Sequence, residues 1–245
     1  MVYFGREHGR RKLVRAEGED HMASSERYLG RSIRVFLSYS TSDKEIAGNI
    51  RWGLEELGVE AFLAHEDISP SAEWQDVILE NLRSCDVFVP ILTRHFHNSN
   101  WTDQETGVAI CLQKLIIPLK IDANPYGFIG KYQALKFDLD KLAESCWVIL
   151  STIDQHKAFK EAVRDCVIRA FVDSHSYEDA KKKSSFLLYF DSYGTPQLDE
   201  IMRGSSRNRQ IYESFGAQNN LRTLISRFEE EMDKSLIEEY RKKLE

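Results

Sequence analysis

The run Cys85-Asp86-Val87-Phe88-Val89-Pro90-Ile91-Leu92 is apolar at nearly every position. A strand without a polar face has to be covered on both sides, which demands helices above and below the sheet that holds it. The flanking sequence supplies them. Ile33-Arg34-Val35-Phe36-Leu37-Ser38-Tyr39 is rich in β-branched and aromatic residues and reads as a first strand. Ser42-Asp43-Lys44-Glu45 has the pattern of a capping box, and Ile46, Ile50, Leu54 and Leu57 follow at helical spacing until Gly58. Val59-Glu60-Ala61-Phe62-Leu63 is a second strand. A loop over residues 65–70 leads to a helix beginning near Ser69 to Ser71, with Trp74, Val77, Ile78 and Leu82 on its inner face.

Past the third strand, a loop over residues 93–98 opens a helix that Asn100 is suited to cap. Residues 114–121 form a fourth buried strand, in which Pro118 must stand where no ladder donor is needed. Residues 133–137 form a short fifth, and residues 138–152 show no clear period. Phe159, Ala162, Val163, Cys166, Val167 and Ala170 mark a closing helix. Strands alternating with helices at this spacing build right-handed βαβ units and a parallel five-stranded sheet. Ligands of such sheets bind beyond the carboxyl ends of the strands. The loops around Tyr39, Asp67 and Phe96 converge there.

The expected organisation is a flexible N-terminal extension (1–31), an α/β domain (32–172) and a helical C-terminal region (173–245). The first 31 residues are basic and aperiodic, a tail or a start read too far upstream, with Met22 a candidate first residue. Lys181-Lys182-Lys183 and residues 192–196 read as hinge or turn material. Leu221, Leu224, Ile225, Phe228, Met232, Leu236 and Tyr240 form the stripe of one long amphipathic helix, able to dock on its own domain or to serve self-association. On the second view the α/β domain folds alone and the C-terminal region sets the assembly state.

Composition excludes several classes. A formal net charge of -6 argues against a general nucleic-acid or anionic-membrane binder. No apolar run approaches the roughly 20 residues of a membrane span. The Arg-rich N-terminus lacks the apolar core of a secretory signal. Cys85, Cys111, Cys146 and Cys166 form no CxxC pair and read as small buried residues of a reducing compartment. The expectation is a soluble cytoplasmic protein.

The chemistry gathers on the helix after the third strand. Trp101, Glu105, Val108, Ala109 and Leu112 share one face at helical spacing, so Glu105 is a carboxylate on the side that should meet the core. An ionised carboxylate there is paired, at an edge, or functional. Its position just below the strand ends favours function. No GxGxxG, P-loop, HExxH or GxSxG sequence is present, which argues against a dehydrogenase, an NTPase, a zincin or a serine hydrolase. His95 and His97 flank Phe96 without a nearby third ligand, so no metal is expected. Trp74 suits core packing or a ligand platform.

Two blocks carry a resemblance. Phe36-Leu37-Ser38-Tyr39-Ser40-Thr41-Ser42-Asp43 resembles the first signature of Toll/interleukin-1 receptor (TIR) domains. Ser84, the apolar strand, Thr93, Phe96, Ser99 and Trp101-x-x-x-Glu105 resemble the second, over about residues 32–172 in all. This chain has Thr102 and Thr106 where the family commonly has Cys and Leu, and the loop after its second strand lacks the family's Gly. The resemblance implies a flavodoxin-like α/β fold and, by analogy with prokaryotic enzymatic members, Glu105 as the catalytic residue cleaving the nicotinamide–ribose bond of NAD+. Trp101, Tyr39, Ser40, Asp67 and Trp74 would line the substrate site. NAD+ is then a substrate, and no cofactor is implied. The resemblance further implies self-association through TIR domains, in signalling, stress or antiviral defence. The alternatives are a non-catalytic TIR adaptor and a nucleoside deoxyribosyltransferase-like enzyme.

Overall fold

A computed structural model describes residues 30–63 and 74–245. The strands are β1 (Arg34–Ser38), β2 (Glu60–Leu63), β3 (Val87–Leu92), β4 (Leu115–Ile116), β5 (Leu119–Lys120) and β6 (Leu135–Lys136). All pair in parallel, in the order β2-β1-β3-β5-β6, with β4 also on β3. β4 and β5 are one expected strand interrupted at Pro118. Proline has no N–H to give, and its carbonyl instead accepts from Leu135 N–H at 2.8 Å. Five strand positions in a 2-1-3-4-5 arrangement result, with the crossing of chain direction between β1 and β3.

α1 (Lys44–Glu55) ends as expected before Gly58, whose φ is +79°. A Cβ there would also lie 2.2 Å from the Cys166 carbonyl oxygen, so glycine is required twice over. The start of α1 differs from expectation. Ser42 lies in a 3-10 turn (Thr41–Asp43), Asp43 takes the cap position, and no side-chain capping bond forms. The Asp43 carboxylate is engaged elsewhere. It accepts the Thr93 hydroxyl at 2.6 Å and sits 2.9 Å from His95 Nδ1, tying the loops after β1 and β3.

The sheet has two unequal faces. On one, α1, α4 (Leu142–Asp154) and α5 (Lys160–Val172) cover Val35, Leu37, Val87, Val89 and Ile91. On the other, α2 (Trp74–Ser84) and α3 (Asn100–Cys111) enclose a smaller core around Phe36, Phe88, Leu92 and Phe96. α4 falls where the sequence shows no period. It is apolar almost all round because it is wedged between α1 and the C-terminal helices, with Trp147 stacked on Phe186 at 4.5 Å.

The C-terminal helices α6 (Tyr177–Leu187), α7 (Thr195–Arg207), α8 (Arg209–Tyr212), α9 (Phe215–Phe228) and α10 (Lys234–Lys242) extend the larger core. Lys181-Lys182-Lys183 is mid-helix in α6 and no hinge; Lys183 is buried and pairs with Asp179 at 3.0 Å and with Glu56 of α1 at 3.8 Å. Residues 192–194 do turn the chain, and Pro196 stands in the first turn of α7. The expected single helix over 221–240 is two. Glu229-Glu230-Glu231 puts negative charge at the C-terminal end of α9, where the helix dipole disfavours it. Asp233 then caps α10 by accepting from Ser235 N–H at 2.8 Å. The stripe is core: Leu221, Leu224, Ile225, Phe228, Met232 and Tyr240 are all buried.

Gly30 and Arg31, placed by sequence in the flexible extension, are held: Gly30 N–H donates to buried Asp165 at 2.9 Å and Arg31 pairs with Asp86 at 2.6 Å. Asp165 also accepts the Gln197 amide at 2.6 Å, so one carboxylate fastens the entry segment and α7 to α5. Residues 1–29 lie outside the described residues. Three cysteines are buried as expected, but Cys111 is exposed at the end of α3.

Candidate active site

α3 starts one residue earlier than expected, with Ser99 rather than Asn100 at the cap position and no side-chain capping bond. Its buried residues are Thr102, Glu105, Thr106 and Ala109. Sequence periodicity points to Trp101, Glu105, Val108, Ala109 and Leu112 instead, and Leu112 is in fact 38% exposed. The helix is therefore rotated relative to its apolar stripe. Two threonines turn inward, while Trp101 and Val108 are only half-buried. Apolar side chains left partly uncovered in this way form the wall of a cleft rather than a core.

That cleft, of about 200 Å³, lies between α2 and α3 and is lined by Gln75, Ile78, Leu82, Trp101, Glu105 and Val108. Trp74 meets Trp101 edge-on with ring centroids 4.1 Å apart, a close aromatic contact. Glu105 is 2% exposed. Its Oε2 accepts the Ser38 hydroxyl at 2.5 Å, and its Oε1 is buried without a partner among the described residues. Burial pushes the carboxyl pKa up to about 7, against the opposing effect of the Ser38 hydrogen bond. A carboxylate so poorly compensated is costly unless a ligand completes it.

The residues expected at the site do not all meet there. Glu105, Trp101 and Trp74 do. Tyr39 is 1% exposed and packs in the larger core, on the other side of the sheet from Glu105. Side chains alternate along a strand, so Phe36 and Ser38 face α3 while Leu37 and Tyr39 face away. Ser40 is buried at the strand end, and its carbonyl accepts from Asp43 N–H at 2.7 Å. Asp67 lies outside the described residues. Ser38, which holds Glu105, is the residue that sequence reasoning passed over, although the same alternation identifies it as the polar group on the Glu105 side.

His95 and His97 turn to different partners, Asp43 and the Tyr126 ring, the latter stacked at 3.5 Å. Among the described residues no group of three or more His, Cys, Asp or Glu could hold a metal ion. A larger cavity of about 460 Å³ lies beside the β1–β2 edge, lined by Arg34, Arg51, Glu55 and Glu60. Its charges pair with each other, Arg51 with Glu55 at 2.8 Å and Arg34 with Glu60 at 3.6 Å. It lacks the buried, uncompensated group that marks the α2–α3 cleft.

The family model for the TIR domain matches residues 35–146. The chain carries a TIR domain. The matched stretch of this TIR protein runs from β1 into α4 and includes Ser38, Trp101 and Glu105. Among solved structures, the chain is similar to the TIR domain of the Toll-related receptor TRR-2 from Hydra magnipapillata, at 17% identity and a TM-score of 0.43. That likeness covers 50% of this chain and 98% of the other. No curated protein matches the chain. No described helix is long and apolar enough to cross a membrane.

Proposed function

We propose that this TIR domain cleaves the nicotinamide–ribose bond of NAD+, with Glu105 as the catalytic carboxylate. The observation that carries the reading is a buried carboxylate with one oxygen unpartnered among the described residues, lining a cleft beside two tryptophans. When the C–N bond breaks, both electrons go to the ring nitrogen and neutralise the pyridinium. The leaving group needs no proton, so one carboxylate suffices where ordinary glycosidases need two. Positive charge moves to the ribose, and a carboxylate fixed in a low-dielectric site stabilises it at little reorganisation cost.

Ser38 holds one Glu105 oxygen and leaves the other for the ribose, a positioning role. Trp101, braced by Trp74, gives a flat wall for the nicotinamide. Water attacking the ribose C1′ and releasing a proton gives hydrolysis; a ring nitrogen of the same nucleotide attacking there gives a cyclic product. The same reading has the domain acting in the cytoplasm, switched on by self-association, in prokaryotic stress or antiphage defence.

Glu105 has to be ionised to act, and its resting pKa is about 7. The free-enzyme profile, kcat/KM, should therefore rise with pH through about 7. The positive pyridinium ring bound beside Glu105 favours the ionised form, so kcat should rise at lower pH. Incubating the purified full chain with NAD+ and identifying products by mass tests the reading. Nicotinamide release is expected, and unchanged NAD+ across a wide range of protein concentration would count against it.

A further inference from the structure

On the side of α3 away from Glu105, a second cavity of about 270 Å³ is lined by Asp103, Thr106, Tyr126, Gly127, Phe128 and Ile129. Positions 101, 104, 105 and 108 of the helix line the first cleft and positions 103 and 106 line this one, so α3 itself separates them. A mostly apolar wall with a few converging polar groups is the ordinary composition of a small-ligand site.

Thr106 is the first sign that the cavity is built for a ligand. It is 7% exposed, and its hydroxyl oxygen is buried without a partner among the described residues. A helical threonine usually returns its hydroxyl to a carbonyl about one turn back. Thr102 does so, reaching the Ser99 and Phe96 carbonyls at 2.8 Å each. Thr106 does not, and a buried hydroxyl left without a partner is destabilising.

The wall opposite is fixed. The Tyr126 hydroxyl donates to Asp103 Oδ1 at 2.5 Å, and the Tyr126 ring is clamped by the stacked His97. Ile129 is 1% exposed in the smaller core, which anchors the 3-10 turn Gly127–Ile129. Between these anchors Phe128 stands 77% exposed, just after a glycine at φ +52°. A large aromatic held out at the rim of a fixed cavity, beside a carboxylate with its second oxygen unengaged among the described residues, offers a stacking surface and an acceptor together.

We infer that this cavity binds a planar heteroaromatic ring bearing an N–H donor, such as an amino-purine. The ring lies against Phe128 and Tyr126, and the donor reaches Asp103 and Thr106. Because its floor is α3, an occupant contacts the residue next to Glu105 without entering the proposed catalytic cleft.

The test is a titration of the 15N-labelled full chain with adenosine, followed by amide shifts, and with purine riboside, which has the same ring system without the amine. Adenosine should shift the amides of residues 103–107 and 126–130. Binding should weaken about tenfold for purine riboside and for Thr106→Val and Phe128→Ala. Thr106→Val removes a hydroxyl with no partner among the described residues and should melt at or above the wild-type temperature, and Phe128→Ala alters an exposed side chain and should melt near it. Adenosine shifts that survive in Glu105→Gln place the ligand outside the first cleft, as inferred. No shifts at these amides, equal binding of the two nucleosides, equal binding by the variants, or shifts that vanish in Glu105→Gln would each overturn the inference.

Discussion

The two faces of the sheet are built to different standards. Behind β1 and β3, α1, α4, α5 and the C-terminal helices make one continuous apolar core, closed by the aromatic series Trp147, Phe186, Tyr189, Phe190, Tyr193 and Phe228. Lys183 is matched there by Asp179 and Glu56, and Asp165 by Gly30 and Gln197, while Arg164 Nε, Asp154 Oδ1, Asp199 Oδ1 and the Tyr240 hydroxyl have no partner among the described residues. In front, α2 and α3 enclose a much smaller cluster, and beside it stand two half-buried tryptophans and two groups without a partner among the described residues, Glu105 Oε1 and the Thr106 hydroxyl. Glu105 and Thr106 each line a cavity. Natural proteins break packing rules chiefly at functional sites, which supports placing the proposed function on the front face.

The largest expected effect breaks the back face. A chain ending at residue 173 loses α6 to α10, with five of the six aromatics, and uncovers Phe171, Val172 and Trp147. The apolar area lost should exceed the usual total stability of about 5–15 kcal/mol. Such a chain should show no cooperative thermal transition by circular dichroism. This reverses the sequence expectation that the α/β domain folds alone, since the stripe that suggested a spare surface is buried. A cooperative melt near that of the full chain would make the two regions independent.

Next comes the cost stored in the front face. The Glu105 pKa is raised from 4.5 to about 7 in the folded protein. Between those values the native state holds more protons than the unfolded chain. The contribution is therefore fully present below pH 4.5 and is lost as pH rises through about 7. About 3 kcal/mol is at stake as an upper bound. The Glu105→Gln variant should lack this dependence and should be the more stable protein at pH 8. Parallel pH–stability curves for the two would mean that Glu105 is compensated after all.

Trp101→Ala sharpens the contrast. A fully buried aromatic would cost about 3–5 kcal/mol on truncation, but Trp101 is half-buried and should cost about 1–2 kcal/mol. Turnover per folded molecule should fall by about 10- to 100-fold, because the flat wall of the cleft is gone. A stability loss without a turnover loss would return Trp101 to the core.

The smallest effect is at Ser38. Ser38→Ala removes the only hydrogen bond that the Glu105 carboxylate makes among the described residues, so the carboxyl pKa should rise further. The midpoint of the kcat/KM profile should move about one unit to higher pH with little change in the alkaline plateau. An unshifted midpoint with a lowered plateau would show that Ser38 acts on something other than Glu105.

Much of the back face was legible in the sequence, because strands β1 to β3 are short β-branched and aromatic runs and helices α1 and α5 carry apolar residues at helical spacing. What was hidden there was α4, whose apolar residues face two layers at once, and the break at Asp233, a short-range capping event inside a longer periodic stripe. The front face was legible in its chemistry but not in its geometry. Trp101 and Glu105 stand out by spacing, yet the helix is rotated so that Thr102 and Thr106 are buried, which hydrophobicity alone does not foresee. Tyr39 was assigned to the site because it ends a strand, whereas the alternation that buries Leu37 carries it to the opposite side with it. The Asp43 carboxylate, read as part of a capping sequence, is used instead to join two loops, a long-range contact that no local pattern encodes.

The most direct test is NAD+ turnover at pH 8 by the full-length protein and by its Glu105→Gln variant, each first shown to melt cooperatively. Removing the charge while keeping the shape should lower turnover by about 10²- to 10³-fold, the scale of a lost electrostatic stabiliser. Turnover within a few-fold of wild type in the well-folded variant would contradict the assignment of Glu105, and with it the division of labour between the two faces.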